Sequence, residues 1–116
     1  DLPVAPLYQV VTAFEVLEHV EDDVGFLTSL DRLATHAVFL TTPNWEIARC
    51  QSDYHWREYT YEEFIGVLRR VWPIQPLQYY GYFKDAEGGW CELFPGADLG
   101  PPLKHVALID LNFGAR

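Results

Sequence analysis

Glu15, Glu18 and His19 stand at i, i+3 and i+4, and a second histidine, His55, follows further along the chain. A single helical turn would bring the first three side chains onto one face. Two carboxylates and two imidazoles make an O₂N₂ donor set suited to Mg²⁺, Mn²⁺ or Zn²⁺. The same residues also read as solvated charges at a helix entry, with His19 an ordinary turn residue. Trp56 and Arg57 follow His55, and Trp45, Tyr54 and Tyr59 lie near it in sequence. Those aromatics could wall a planar substrate or pack beneath a long loop. Arg57 could steer an acidic substrate or pair with Glu58 or Glu62. Asn44, beside Trp45, is a further candidate for substrate contact.

The elements that would position these groups alternate. Leu7 to Phe14 is an apolar, β-branched and aromatic run that reads as a buried strand. Glu21-Asp22-Asp23 supplies the acidic residues favoured at a helix N-terminus. Val24, Leu27, Leu30 and Leu33 then predict an amphipathic helix over Asp22 to Ala34. Ala37 to Thr42 reads as a second buried strand, stopped by Pro43-Asn44. A polar, aromatic-rich loop runs to Tyr59. Thr60 and Glu63 then form a capping box, and Tyr59 and Phe64 a hydrophobic staple. Phe64, Val67, Leu68 and Val71 make the apolar stripe of that helix, which Pro73 ends.

Leu77 to Phe83 is aromatic-rich strand material. Asp85 to Pro102, dense in Gly and Pro, reads as loop, with Trp90 and Phe94 suiting a lid or an interface. His105 to Phe113 is the last strand, on which Asp110 marks an exposed edge or an end. Buried strands alternating with helices imply an α/β fold with a largely parallel sheet covered on both sides. The last two strands lack a helix between them and should form an antiparallel hairpin. The expected shape is half of a doubly wound sheet. Ligands in such sheets bind beyond the carboxyl ends of the strands, where Glu15 to Asp23 and Thr41 to Tyr59 both fall.

Composition narrows the classes. The 116 residues are 49% hydrophobic and 16% aromatic, enough for one small domain with a real core. No apolar run approaches the roughly 18 residues that span a bilayer, and no signal peptide is visible. Two cysteines, Cys50 and Cys91, are too few for a disulfide scaffold and read as free thiols of a reducing, cytoplasmic compartment. A formal charge of −9 repels polyanions, so nucleic acid is an unfavoured partner. With no methionine and an Asp1-Leu2-Pro3 start, the sequence reads as a piece of a longer frame.

Three blocks carry a family resemblance. Val11-Thr12-Ala13-Phe14-Glu15-Val16-Leu17-Glu18-His19-Val20 is the first, and Leu40-Thr41-Thr42-Pro43-Asn44 the second. The third is His55-Trp56-Arg57-Glu58-Tyr59-Thr60 with Glu62-Glu63-Phe64. Together they resemble class I S-adenosylmethionine-dependent methyltransferases over residues 8 to 71. The branch includes ubiquinone-biosynthesis O-methyltransferases and small-RNA 3′-terminal 2′-O-methyltransferases.

The resemblance implies the C-terminal half of a Rossmann-like doubly wound sheet. Leu7–Phe14 and Ala37–Thr42 would be its strands four and five, and the closing hairpin strands six and seven. Ala13, Phe14 and Glu15 match the positions beside the methionine end of the cofactor. In metal-dependent members the matching residues hold a metal, which maps onto Glu15, Glu18, His19 and His55. His19 or His55 would serve as metal ligand or general base.

The family's Gly-x-Gly-x-Gly cofactor loop and its ribose-binding acid have no counterpart here. Residues 1–116 therefore read as the C-terminal part of one methyltransferase domain, with the cofactor-loop half upstream. Three functions follow as expectations. The first is O-methyl transfer to a small-molecule acceptor, assisted by Mg²⁺ or Mn²⁺. The second is a non-catalytic remnant acting as an interaction module or a homodimer completing its sheet across a two-fold axis. The third is metal-dependent RNA 2′-O-methylation, which the charge disfavours.

Overall fold

The structure, a computed structural model, describes residues 8–49, 53–84, 91–96 and 99–112. Leu7, Cys50, Trp90 and Phe113 lie outside them. A five-stranded mixed sheet carries two long helices. The strands are β1 (Tyr8–Phe14), β2 (Ala34–Pro43), β3 (Leu77–Lys84), β4 (Cys91–Pro95) and β5 (Lys104–Asp110). The helices are α1 (Asp23–Leu33), the short α2 (Trp45–Ala48) and α3 (Tyr61–Val71), with a 3-10 turn at Leu17–His19. No helix among the described residues is long and apolar enough to cross a membrane.

Sheet order is β1-β2-β5-β3-β4. β1 and β2 are parallel, joined through α1, whereas β2–β5, β5–β3 and β3–β4 are antiparallel. The α/β half-sheet and the antiparallel pairing of the closing strands are therefore present. β1, β2 and β3 run in one direction, with α1 and α3 in the crossovers, but β5 inserts antiparallel between β2 and β3 and β4 adds antiparallel at the edge, so the expectation of a largely parallel sheet is corrected to a mixed one.

α1 and α3 share one face of the sheet. Leu27 and Leu30 of α1 and Phe64, Val67 and Leu68 of α3 pack on Ala13, Val38, Leu40, Tyr79, Ala107 and Ile109. Along β2, Ala34, Val38, Leu40 and Thr42 are buried while Thr35, Ala37, Phe39 and Thr41 are only partly so. Among the described residues the opposite face has no helix on it, so cover on both sides is not observed.

β1 departs most from expectation. Its pattern is exposed almost throughout, with Tyr8, Val10 and Phe14 each more than half exposed and only Ala13 buried. Apolar content predicts a wish for burial, but an edge strand pairs on one side only, and burial needs neighbours. β2 extends beyond the expected Ala37–Thr42 at both ends. The Asp85–Pro102 segment contains β4, paired from Lys84↔Cys91 to Tyr80↔Pro95, where a loop was expected. Five residues ending in Pro95 give too short an alternation to register as a strand.

Local signals explain the helix ends. Asp22 caps α1 by accepting from the Gly25 amide at 3.0 Å. The Thr60–Glu63 capping box is complete, with both reciprocal bonds formed at 3.2 and 3.0 Å. The Tyr59 and Phe64 rings of the staple lie 6.3 Å apart. At its far end α3 is tied to α1 by buried Trp72, whose Nε1 donates to Asp31 at 2.8 Å.

A buried polar group packs against this core. His105 on β5 is fully buried, stacked on Phe64 at 5.1 Å with its plane 12° from that ring. Its Nε2 lies 2.7 Å from the Tyr59 carbonyl, which only accepts, so that nitrogen carries the proton. Nδ1 is then an acceptor for the Tyr79 hydroxyl at 2.5 Å. Burial holds the His105 pKa below the ordinary histidine value. The unfolded chain therefore binds a proton that the fold resists. The stabilisation contributed by neutral His105 is complete above about pH 6.5 and is lost as pH falls toward the lowered native value. Urea midpoints measured from pH 7.5 to 5 should decline, and His105→Asn should flatten that slope even if it lowers the plateau. An unchanged slope would remove His105 as its source.

Candidate metal and acceptor site

The site forms where β1 ends. Glu15 takes a left-handed backbone, φ 55°, and turns the chain sharply out of the strand. Its amide donates to the Thr41 carbonyl at 3.0 Å, fastening the turn to the end of β2. The 3-10 turn begins two residues later, at Leu17. Glu18 thus faces inward, while His19 stays exposed beside the segment carrying His55.

Glu18 is almost wholly buried, 1% exposed, and accepts from the Thr42 hydroxyl at 3.1 Å. Burial raises its pKa, with Glu15 pushing the same way. The returning loop is sewn to this turn, since the Trp56 amide donates to the Glu18 carbonyl at 2.7 Å. One donor atom each from Glu18, His19 and His55 lie within 4.8 Å of one another, and the two imidazoles meet edge to face at 4.7 Å.

Both histidines are oriented by their outer nitrogens. His19 Nδ1 sits 3.0 Å from the Tyr54 carbonyl, and His55 Nδ1 sits 2.5 Å from Glu58 Oε2. A carbonyl and a carboxylate oxygen accept, so each Nδ1 carries a proton, and His19 Nε2 lies 3.8 Å from Glu18 Oε2. Fixing Nδ1–H on a backbone carbonyl or a carboxylate is how metal-bound histidines are held. The residues fit a divalent ion: one carboxylate and two imidazoles suit Mn²⁺ or Zn²⁺ better than Mg²⁺, which prefers oxygen.

Glu15 does not join this cluster. Its carboxylate accepts from the Thr41 hydroxyl at 2.9 Å and pairs with Lys104 at 3.0 Å. The other expected cofactor positions divide likewise. Ala13 is in the core, and Phe14 lies on the open sheet face, edge-on to Phe39 at 5.5 Å. Asn44 is buried, its Nδ2 donating to the Pro102 carbonyl at 2.8 Å and its Oδ1 capping α2 at the Glu46 amide. That makes it a loop-shaping residue.

Trp45, Trp56 and Arg57 do converge. With Glu58, Thr60 and Glu63 they line an open cleft of about 530 Å³. Tyr59 is not part of that wall; its ring is fully buried and its hydroxyl donates to Asp23 at 2.9 Å. Arg57 pairs with Glu63 at 2.9 Å, rather than with Glu58 or Glu62, and lies over the Tyr59 ring. Thr42 and Glu58 were missed as site residues, although Glu58 stands three residues after His55, a spacing that allowed the contact.

Comparison with solved structures gives the fold a context. A SAM-dependent methyltransferase from Thermotoga maritima, described as a possible histamine N-methyltransferase, superposes over 97% of this chain with a TM-score of 0.72 and 12% identity. The fold is that of class I S-adenosylmethionine-dependent methyltransferases. The small RNA methyltransferase HEN1 aligns with 97% of the chain at a TM-score of 0.64 and 19% identity. The methyltransferase domain of a bacterial Hen1 aligns with 91% at 0.54 and 19%. The present chain spans 60%, 15% and 54% of these three methyltransferase chains respectively. No protein-family model matches the sequence, and no curated protein does.

Proposed function

We propose that these residues form the acceptor side of an S-adenosylmethionine-dependent O-methyltransferase that uses a divalent ion, Mn²⁺ in preference to Mg²⁺. The observation that carries this reading is the Glu18–His19–His55 cluster, with both Nδ1–H groups anchored and a donor atom of each residue within 4.8 Å of the others. Glu18, His19 and His55 would hold the ion. When bound, such an ion supplies Lewis acidity that lowers the pKa of an acceptor hydroxyl. Bound S-adenosylmethionine would supply the methyl group to the acceptor oxygen, whose hydroxyl proton would pass to a base. Without a metal, His55 Nε2 is placed to take that proton, and Glu58 stabilises the resulting imidazolium. Ala13, Phe14 and Glu15 supply the backbone nearest the methyl donor in this reading.

The two versions separate on Glu18→Gln in the full-length protein. The variant keeps an acceptor for Thr42 but lacks the charge. Mn²⁺ affinity, read by electron paramagnetic resonance, should fall about 10-fold or more, following the usual cost of a lost ligand shell. Stability should rise. Because burial raises the Glu18 pKa, the protonated form is favoured in the fold. The stabilisation present at acid pH is lost as pH rises through the raised value, and glutamine restores it at neutral pH. Methyl transfer that proceeds unchanged in Glu18→Gln and in chelator would overturn the metal version.

A second reading, 2′-O-methylation of RNA, is supported by the likeness to HEN1 and its bacterial counterpart. A third, an interaction module or homodimer without catalysis, is supported by the exposed β1 edge. Sedimentation of the isolated 116 residues tests it, a folded dimer favouring the module.

A further inference from the structure

The cleft beside the cluster has a chemistry of its own. Glu58 both lines it and holds His55, and Trp56 both lines it and bonds the Glu18 backbone. The cleft thus adjoins the cluster through Glu58 and His55 Nδ1, with neither histidine in its lining. About 530 Å³ lies within the range of small-molecule sites, roughly 300–1,000 Å³.

Two indoles line this cleft and both are exposed, Trp56 by 63%. Large aromatic faces left in water beside polar groups suit stacking with a planar ring. Their preference is also visible. The Arg49 guanidinium lies over Trp45 at 4.2 Å and Arg57 over Tyr59 at 4.6 Å, so aromatic faces in this region already carry planar cations. The lining holds two carboxylates, Glu58 and Glu63, against one guanidinium, Arg57, which Glu63 occupies at 2.9 Å. Glu46 and Glu62 line the neighbouring depression. Such a lining, in a chain of net charge −9, repels phosphate and attracts an ammonium.

We infer that the Trp45–Trp56 cleft binds the acceptor as a small planar aromatic ring bearing a cationic arm. This rests on the methyltransferase reading for the reaction, but not for the binding. The ring stacks on the indoles, and the cationic arm lies among the carboxylates. A phosphorylated acceptor is rejected by the same groups.

Isothermal titration of the full-length protein with tyramine, phenol and uridine 5′-monophosphate, without methyl donor or metal, tests the binding directly. Tyramine should bind tightest, phenol about 10-fold weaker, and the nucleotide not measurably. Trp56→Ala, at an exposed position, should weaken tyramine about 10-fold or more while leaving the unfolding midpoint in place. Trp45→Ala should weaken it similarly. Nucleotide or a short 3′-hydroxyl RNA binding tighter than tyramine would overturn the inference, as would tyramine binding that neither tryptophan variant alters. Tyramine binding that requires the tryptophans, in a protein that methylates nothing, would uphold the cleft and refute the methyl-transfer reading instead.

Discussion

Replacing His55 by alanine in the full-length protein is expected to lower methyl-transfer turnover about 100-fold or more while moving the unfolding midpoint little. His55 lies near the surface of the site and does not belong to the apolar cluster that joins α1, α3 and the sheet. Its loss removes either a ligand or a base, and each role is worth about two to four powers of ten in rate. Glu58→Gln separates the roles. Glutamine can still accept from Nδ1–H, so a metal-bound imidazole should keep its orientation and most of its affinity. A base role should suffer more, because the carboxylate charge no longer stabilises the imidazolium. Turnover unchanged in both His55→Ala and His19→Ala would remove the cluster from the chemistry altogether.

The spacing that announced this site was informative for two residues and misleading for a third. Placing Glu15, Glu18 and His19 on one face presupposes helical backbone from Glu15 onward. The chain instead takes φ 55° at Glu15 and starts its 3-10 turn at Leu17. Spacing arguments hold only within one regular element, and the turn between strand and helix carries no period. The pairing of His55 with Glu18, by contrast, was legible through the fold, because both segments follow the carboxyl ends of strands, although nothing local links residues so distant in sequence.

Helices were the most legible elements because their stop and start signals are chemical. Asp22, Thr60 with Glu63, and Pro73 each act on backbone groups within a few residues. Strand burial was less legible, because it depends on partners. Tyr8, Val10 and Phe14 have the composition of a buried strand and stand on an edge. Tyr59 shows two signals in competition. The staple with Phe64 placed it inside, the aromatic-wall reading placed it in the cleft, and the staple prevailed because its partner is fixed by the helix register.

That staple is the basis of the largest stability effect. Phe64→Ala is expected to cost about 3–5 kcal/mol, the usual loss for a fully buried phenylalanine. Phe64 is fully buried and stacks on His105, with Tyr59 and Tyr79 each 6.3 Å away. Truncation leaves a void lined by three rings and removes the stacking partner of a buried imidazole. Against total stabilities of about 5–15 kcal/mol, such a loss consumes much of what holds a domain together. Ile74→Ala, at a residue 73% exposed, should cost under about 0.5 kcal/mol. Urea unfolding of the full-length variants checks both, and a Phe64→Ala cost under about 1 kcal/mol would show that the rings close over the gap. The site should register the change too. Tyr59 accepts from the Trp45 amide at 2.9 Å and from His105 at 2.7 Å through its carbonyl. A loosened Tyr59 therefore slackens both the cleft wall and the loop carrying His55. Activity lost in this way should recover on cooling to the temperature of maximum stability, whereas activity lost in His55→Ala should not.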